Sequence, residues 1–529
     1  MGFTAHDSLV LVGLLAAGAG LLATAQRLRV PYPILLVLAG LGLAFIPGMP
    51  RIELAPDLVL VAVLPPLLYG GAFFTPLREL RANVGPISLL AVGLVLTTML
   101  AVAAVAHAAI SGLSWPGAFV LGAIVSPTDP TAATAIAERL GLPRRLVGLI
   151  EGESLVNDGT ALVAYRVAVA AVVTGSFSLA DASGRFVLNV VGGVAIGLAV
   201  GLVIRQVRRR LDNPPVEITI SVLSGYFAFL PALAAGVSGV LAAVTVGIYM
   251  GWHTPELTTP QTRMQGIAVW EILFFLLNSL LFALVGLQLP SILDALSGRS
   301  TGTLLRYAVM VTAVVIGARF AWVMTTRYLP RGLAPRQRDG SIASWQSSTV
   351  LAWSGMRGAV SLAAALALPL TTHAGAHFPD RELLIFLTFA VILGTLVIQG
   401  LTLPGLIRLL RLEDDGVGEK EDAKARIYAA EAALKRLDEL ADEAWVREAT
   451  AERLRGLYTF RRDRFRSRFD PDADGSIEER SADYQRLRRE LLDAERRAVL
   501  ELRRSGRIDD DVMRGVVRDL DLEDLRLDL

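Results

Sequence analysis

As far as about position 411 the chain is a succession of apolar stretches separated by short polar breaks. A helix needs about 20 apolar residues to cross ~30 Å of hydrocarbon, and one soluble core cannot absorb so many such stretches. The runs are continuously apolar rather than alternating, which excludes transmembrane strands, whereas a helix satisfies its backbone groups within its own segment. The expected fold is an all-α polytopic membrane protein. Past position 411 the composition inverts: residues 1–411 carry 26 basic and 18 acidic side chains, residues 412–529 carry 25 and 32. We therefore read a transmembrane domain over 1–411 and a cytoplasmic, mostly helical regulatory or accessory domain over 412–529. The first apolar run has no basic residue before it and is followed by further spans, so it reads as a retained helix rather than a signal peptide. The chain has no cysteine, which excludes disulfides, thiolate metal sites and cysteine nucleophiles.

We place spans near 8–25, 30–46, 57–75, 86–110, 115–137, 146–173, 186–204, 216–230, 232–251, 266–289, 304–326, 347–370 and 383–409, about thirteen in all. The stretch 216–251 is too long for one upright helix and is divided at Pro231. With that division, alternate loops hold 16 arginines, among them Arg27, Arg78, Arg139, Arg144, Arg205, Arg263 and Arg331, against five on the opposite side, Arg51, Arg185, Arg299, Arg306 and Arg381. The positive-inside bias then puts the N-terminus outside and the tail in the cytoplasm, in a plasma membrane of the bacterial inner-membrane type.

An ionisable side chain in mid-bilayer costs roughly 2.5–3.5 kcal/mol on insertion scales, so each one points to function. Most cluster in two spans. The fifth contains Ser126-Pro127-Thr128-Asp129-Pro130, where two prolines remove two amide donors and disfavour helical geometry before them. A helix break is expected over Ser126–Pro130, with carbonyls such as that of Thr128 free to bind a cation. In the sixth span Ser154 and Asp158 share one helix face, and Glu153 and Asn157 the neighbouring one. The Ser154 hydroxyl, the Asp158 carboxylate and Thr128 form a hard-oxygen shell suited to an alkali cation. Glu153 needs a charge partner. Arg319 is the best intramembrane candidate, with Arg166, further along the same helix as Asp158, as its rival. The twelfth span carries Gly355-Met356-Arg357-Gly358 and reads as a second interrupted helix. It lies seven spans after the first, an offset that implies opposite orientation and an inverted repeat. Where the two interruptions cross, Asp129 can neutralise positive half-helix ends and Arg357 negative ones.

These residues resemble the NhaP-type cation/proton antiporters, relatives of animal sodium/proton exchangers, through Leu64-Pro65-Pro66-Leu67-Leu68, Thr128-Asp129-Pro130, Gly152 to Asp158 and Gly355 to Gly358, taken in order over nearly the whole membrane domain. The resemblance implies thirteen helices, a homodimer, and a core domain that moves against a dimerisation domain in an elevator-like cycle, with the two discontinuous crossing helices read above at its centre. It implies that Asp158 binds ion or proton, with Ser154, Asp129 and the Thr128 carbonyl as further ligands and Asn157 in support. It further implies that Glu153 pairs with Arg319 and that Arg357 sits at the second break. Where many relatives carry an acidic residue after the Leu-Pro-Pro-Leu-Leu motif, this chain has Tyr69-Gly70-Gly71. The Asn157-Asp158 form accompanies electroneutral exchange, and one titrating carboxylate holding either one cation or one proton agrees with it.

The expected function is secondary active exchange of Na+ for H+, with K+ as the alternative cargo, and an intramembrane aspartyl protease or an ion channel as more remote readings. The partners are monovalent cations, protons and membrane lipid; no cofactor and no nucleic acid is expected. In the tail, Arg461, Arg462, Arg464, Arg466 and Arg468 read as a solvated helix face, with anionic lipid as the alternative. Residues 470–481 resemble the start of a calcium loop but place Ser481 where a bidentate glutamate should close the cage, so an acidic turn is the expectation.

Overall fold

The computed structural model describes residues 20, 31–45, 58–175, 179–296, 298–329, 344–373, 375–412, 416–467, 469 and 476–527. Apart from Gly20, the first expected span lies outside these residues, as do Arg27, Arg29, Arg51, Arg331, Arg336, Arg338, Arg468 and the acidic stretch 470–475. Each expected span from the second onward falls on a described helix or helix pair. Among the described residues seven helices are long and apolar enough to cross a membrane, and three shorter apolar helices accompany them.

In chain order the first unit contains α1 (Tyr32–Ala44), a π-helical turn (Leu58–Val63) leading into α2 (Leu64–Phe74), a short α3 (Leu77–Ala82) and α4 (Val84–Ala109). Then come α5 (Trp115–Val125), α6 (Thr131–Leu140), the 31-residue α7 (Arg144–Thr174), α8 (Leu179–Arg208), α9 (Pro214–Ala234), α10 (Gly239–Leu257) and α11 (Pro260–Leu287). A short α12 (Leu289–Ala295) precedes α13 (Thr301–Thr326), α14 (Trp345–Trp353), α15 (Ala359–Leu366) and α16 (Arg381–Leu410). The helix pairs α5/α6 and α14/α15 are two spans interrupted in the middle, the first over residues 126–130 where the prolines stand and the second over 354–358.

Packing sorts these helices into two groups. In one, α2, α8, α9 and α10 pack together and α1 packs on α11; in the other, α4 packs on α5 and α13, and α13 on α14 and α16. Backbone reaches backbone where α1 crosses α11. A Cβ on Gly40 would meet the Ala283 carbonyl oxygen at 2.3 Å, and one on Gly286 would meet the Val37 carbonyl oxygen at 2.3 Å. Without a hydrophobic drive between helices in lipid, close approach of this kind supplies the dispersion contact that holds them. The first group also buries an ion pair at the arginine-rich α8–α9 turn, Arg208 to Glu217 at 3.6 Å, with Arg208 Nη1 donating to Thr254 Oγ1 at 3.3 Å.

The expected division at Pro231 needs correction, since α9 runs through that proline and ends at Ala234. A proline removes one hydrogen bond, but its own carbonyl still accepts from Ala235 N at 2.9 Å. The reversal waits for Gly236, whose φ of +72° is open to glycine at no steric cost, and Val237 N closes the turn on Ala232 O at 2.9 Å.

The second unit, Asp415–Leu529, holds α17 (Val417–Leu440), α18 (Glu448–Ser467), α19 (Ser476–Arg504) and α20 (Asp510–Leu525). Arg466 bonds Glu431 and Arg455 bonds Asp438 across α17 and α18, while Arg496 bonds Asp521 and Asp524 across α19 and α20. Arg462 pairs with Asp463, and Arg461 and Arg464 lie over the rings of Tyr458 and Phe465. Much of the arginine run is thus engaged within this unit. Ser481 is buried inside α19.

Gly40→Ala and Gly286→Ala are each expected to lower the thermal unfolding midpoint of the purified chain through ~1–3 kcal/mol of overpacking. Gly42→Ala, whose Cβ meets nothing within 4 Å, should leave it unchanged. Equal effects at all three positions would remove the α1–α11 crossing as the cause.

Candidate ion-binding site

An interrupted helix leaves the carbonyls of its first half and the amides of its second half without intrahelical partners, and inside a bilayer no water reaches them. Here the two interruptions lie against each other, Asp129 N donating to Met356 O at 2.8 Å. Asp129 serves the amide ends. Its Oδ1 accepts from Thr131 N, the first residue of α6, at 2.9 Å, and its Oδ2 lies so close to Gly358, the residue before α15, that an added Cβ would meet it at 1.8 Å. Arg357 serves the carbonyl ends. Its Nε donates to Val125 O, the last residue of α5, at 2.9 Å, its Nη1 donates to Gly355 O just beyond α14, and its backbone N donates to Thr395 Oγ1 on α16 at 3.1 Å. Opposite charges therefore stand at opposite dipole ends of both broken helices.

Glu153 and Arg319, each 1% exposed, form a bidentate ion pair, with Nη2 to Oε2 at 2.9 Å and Nη1 to Oε1 closing the fork. Arg319 also donates from Nη2 to Leu351 O at 2.9 Å and from Nε to Ala352 O at 3.2 Å, so the same guanidinium satisfies the last turn of α14. Gly355 makes the approach possible: a Cβ there would meet Arg319 Cδ at 2.2 Å. Arg166, by contrast, is exposed on α7.

The faces of α7 divide the labour. Glu153 and Asn157 turn into protein, both 1% exposed, whereas Ser154 and Asp158 line a cavity of about 510 Å³ together with Thr128 and Asp129. Thr128 joins the two faces through its hydroxyl. Asn157 Nδ2 donates to Thr128 Oγ1 at 2.8 Å, Thr128 donates to Glu153 Oε1 at 3.2 Å, and Ser154 Oγ lies 3.2 Å away. A hydroxyl has one proton, so with that proton on Glu153 it is Ser154 that donates to Thr128, and the Ser154 lone pairs stay available. Among the described residues the Asp158 carboxylate has no hydrogen bond or ion pair.

The cavity lies on the seam between the two helix groups. Its opposite wall comes from α2 and α11, through Gly70, Gly71, Phe274 and Asn278. Of the segment Tyr69-Gly70-Gly71 that follows Leu-Pro-Pro-Leu-Leu, the two glycines line the cavity, and a Cβ at Gly71 would touch only Leu155 at 3.7 Å. Glu138 and Glu151 also line the cavity. Residues unmarked by the sequence reading include Thr395, whose hydroxyl holds the Arg357 amide, and Asn278 and Glu138; a threonine in an apolar span and a glutamate at a helix end carry no pattern that would single them out. The glycines around Arg357 did carry a signal, though for a break rather than for the two side chains they admit.

The transmembrane sodium/hydrogen exchanger family model matches residues 13–409. An uncharacterised Na+/H+ exchanger of Mycobacterium tuberculosis is 38% identical over 525 residues, 98% of this chain and 96% of the relative. The Na+/H+ antiporter ApNhaP of Aphanothece halophytica is 34% identical over 77% of this chain and 75% of its own length. A sodium, potassium, lithium and rubidium/H+ antiporter of Bacillus subtilis is 35% identical over 71% of this chain and 57% of its own. The structure of the sodium proton antiporter MjNhaP1 from Methanocaldococcus jannaschii superposes with a TM-score of 0.61 at 21% identity, covering 76% of this chain and 98% of that one, which shows the fold.

Glu153→Leu and Arg319→Leu are each expected to cost ~3–5 kcal/mol of stability by stranding a buried charge, and the double variant less than their sum. Denaturant unfolding of the three variants in detergent measures this; strictly additive losses would show that the two side chains are not coupled. The multi-pass membrane fold, the paired interruptions and the match over most of the chain have one conclusion: the chain belongs to the sodium/hydrogen exchanger family of secondary transporters, which carry ions and are not enzymes.

Proposed function

We propose that the chain exchanges one Na+ for one H+ by competition at the Asp158 carboxylate, with Ser154, Thr128 and Asp129 as neighbouring oxygen groups and Asn157 in support. The observation that carries this reading is the balance of buried charge around the crossing. Glu153 is taken by Arg319, Asp129 faces the amide ends and Arg357 the carbonyl ends, which leaves Asp158 on α7, of the charged groups gathered at the crossing, without a hydrogen bond or ion pair among the described residues. A lone buried carboxylate is costly unless it holds a proton or a cation, and it has room for one of them at a time. With either one cation or one proton held at Asp158, and Asp129 engaged with a backbone amide, the loaded carrier has the same charge in both directions. The exchange is then electroneutral.

The site's position on the seam between two helix groups supports alternating access by movement of the group that holds α5, α6 and α7 against the group that holds α2 and α11. We further propose a homodimer in a bacterial plasma membrane, N-terminus outside and helical tail in the cytoplasm. The outer face of α8, whose apolar stretch is only 22% buried, is available to lipid or to a second copy. K+ in place of Na+ is the second reading, favoured by the broad cation range in the name of the Bacillus relative.

Dye-reported proton flux in proteoliposomes, with Na+, K+ and Li+ compared, tests the proposal. Asp158→Asn is expected to abolish exchange while the protein still inserts; normal exchange by that variant would refute the site. The rate should pass through a maximum with pH, falling where the carboxylate stays protonated and again where protons are scarce, and a clamped membrane potential should leave it unchanged. A rate that follows the potential would rule out one-for-one exchange.

A further inference from the structure

We propose that a groove between the last turns of α6 and α16 binds the phosphate of an anionic phospholipid between Arg139 and Arg408. The groove encloses about 390 Å³, and Pro31, Ile136, Leu140 and Pro404 give it apolar walls. Both arginines line it from different helices, and among the described residues neither guanidinium has a hydrogen bond or an ion pair. Both residues are exposed, so their guanidiniums are open to an anion that enters the groove. One bridging anion satisfies both, and basic pockets between membrane helices suit lipid headgroups for this reason.

Depth agrees with a lipid phosphate. The crossing is held to α16 at Thr395, and Arg408 follows thirteen residues later, about 20 Å along a helix rising ~1.5 Å per residue. If the crossing lies at the midplane, that distance passes the ~15 Å half-thickness of the hydrocarbon and reaches the headgroups. Arg139 stands ten residues after Asp129 on the other broken span, about 15 Å by the same measure. The source of the phosphate is argued by the surface of α16 below the groove. Ile398 and Leu401, 48% and 47% exposed, lie on the same helical stripe as Arg408 and continue it toward the bilayer centre, where an acyl chain would run. Free phosphate would leave that apolar stripe without purpose.

The test uses the full chain in detergent, with bound lipid read by native mass spectrometry and the unfolding midpoint read in parallel, on titration with phosphatidylglycerol, phosphatidylcholine or inorganic phosphate. Phosphatidylglycerol is expected to bind and to raise the midpoint, while the other two do neither. Arg139→Gln and Arg408→Gln should each weaken apparent affinity about fivefold, the equivalent of ~1 kcal/mol for one arginine near anionic lipid, and the double variant about 25-fold. Each single variant tests the claim should the double one fail to fold. Arg209→Gln/Arg210→Gln, which removes two exposed arginines at another turn, should bind as the unaltered chain does. Unchanged affinity in the Arg139 and Arg408 variants, or an equal loss in the Arg209/Arg210 variant, overturns the site. Equal binding of phosphatidylcholine, or reproduction of the effect by inorganic phosphate alone, overturns the anionic lipid as its ligand.

Discussion

A backbone interrupted within a bilayer must find partners for its free amides and carbonyls inside the protein, and that requirement organises this molecule. Two helices break at the same place and meet through the Asp129 N to Met356 O bond, so four helix ends converge on one small volume. Asp129 lies at the amide ends, Arg357 bonds carbonyls at the end of α5 and just beyond α14, and Arg319 takes the last turn of α14 while it holds Glu153. Removing Arg319 leaves both a bare dipole end and an uncompensated Glu153, and removing Asp129 or Arg357 leaves bare dipole ends. The arrangement therefore stands or falls as a unit.

The same geometry isolates Asp158. On α7, rotation sends Glu153 and Asn157 into packed protein and Ser154 and Asp158 into the cavity, while the Thr128 hydroxyl ties the two pairs together. The proposed exchange needs little more than this: a carboxylate kept away from protein cations, with hydroxyl oxygens beside it, on a wall that can part from the wall across the seam. The smooth α2 wall at Gly70 and Gly71 carries no second carboxylate to compete for the cargo.

Much of the site was legible because membrane burial makes rare residues conspicuous. A proline pair around an aspartate, an acid on each of two helix faces and an arginine between glycines stand out against leucine and alanine, and helical periodicity assigns the faces. What escaped notice was ordinary in composition. Thr395 is one of many threonines, yet its hydroxyl holds the Arg357 amide, and Gly355 and Gly358 matter for the side chains that pass over them. Pro231 misled for the opposite reason. It is a conspicuous residue whose missing hydrogen bond a helix near its end tolerates, and the chain turns at Gly236 instead. The prolines beside Thr128 point to a free carbonyl, while the network around it uses its hydroxyl.

The sequence by itself determined that this chain crosses a membrane many times, where its two spans break, and which ionisable side chains enter the apolar region, because hydrophobic length, proline and charge act locally and need no partner to be recognised. Tertiary structure alone decided that Arg319 rather than Arg166 meets Glu153, that Asp129 is spent on helix ends while Asp158 is not, and that Arg139 and Arg408 face one groove. Those outcomes depend on which helices lie beside one another. That is set by close approach at small residues such as Gly40 and Gly286, a property of packed surfaces that no single stretch of sequence contains.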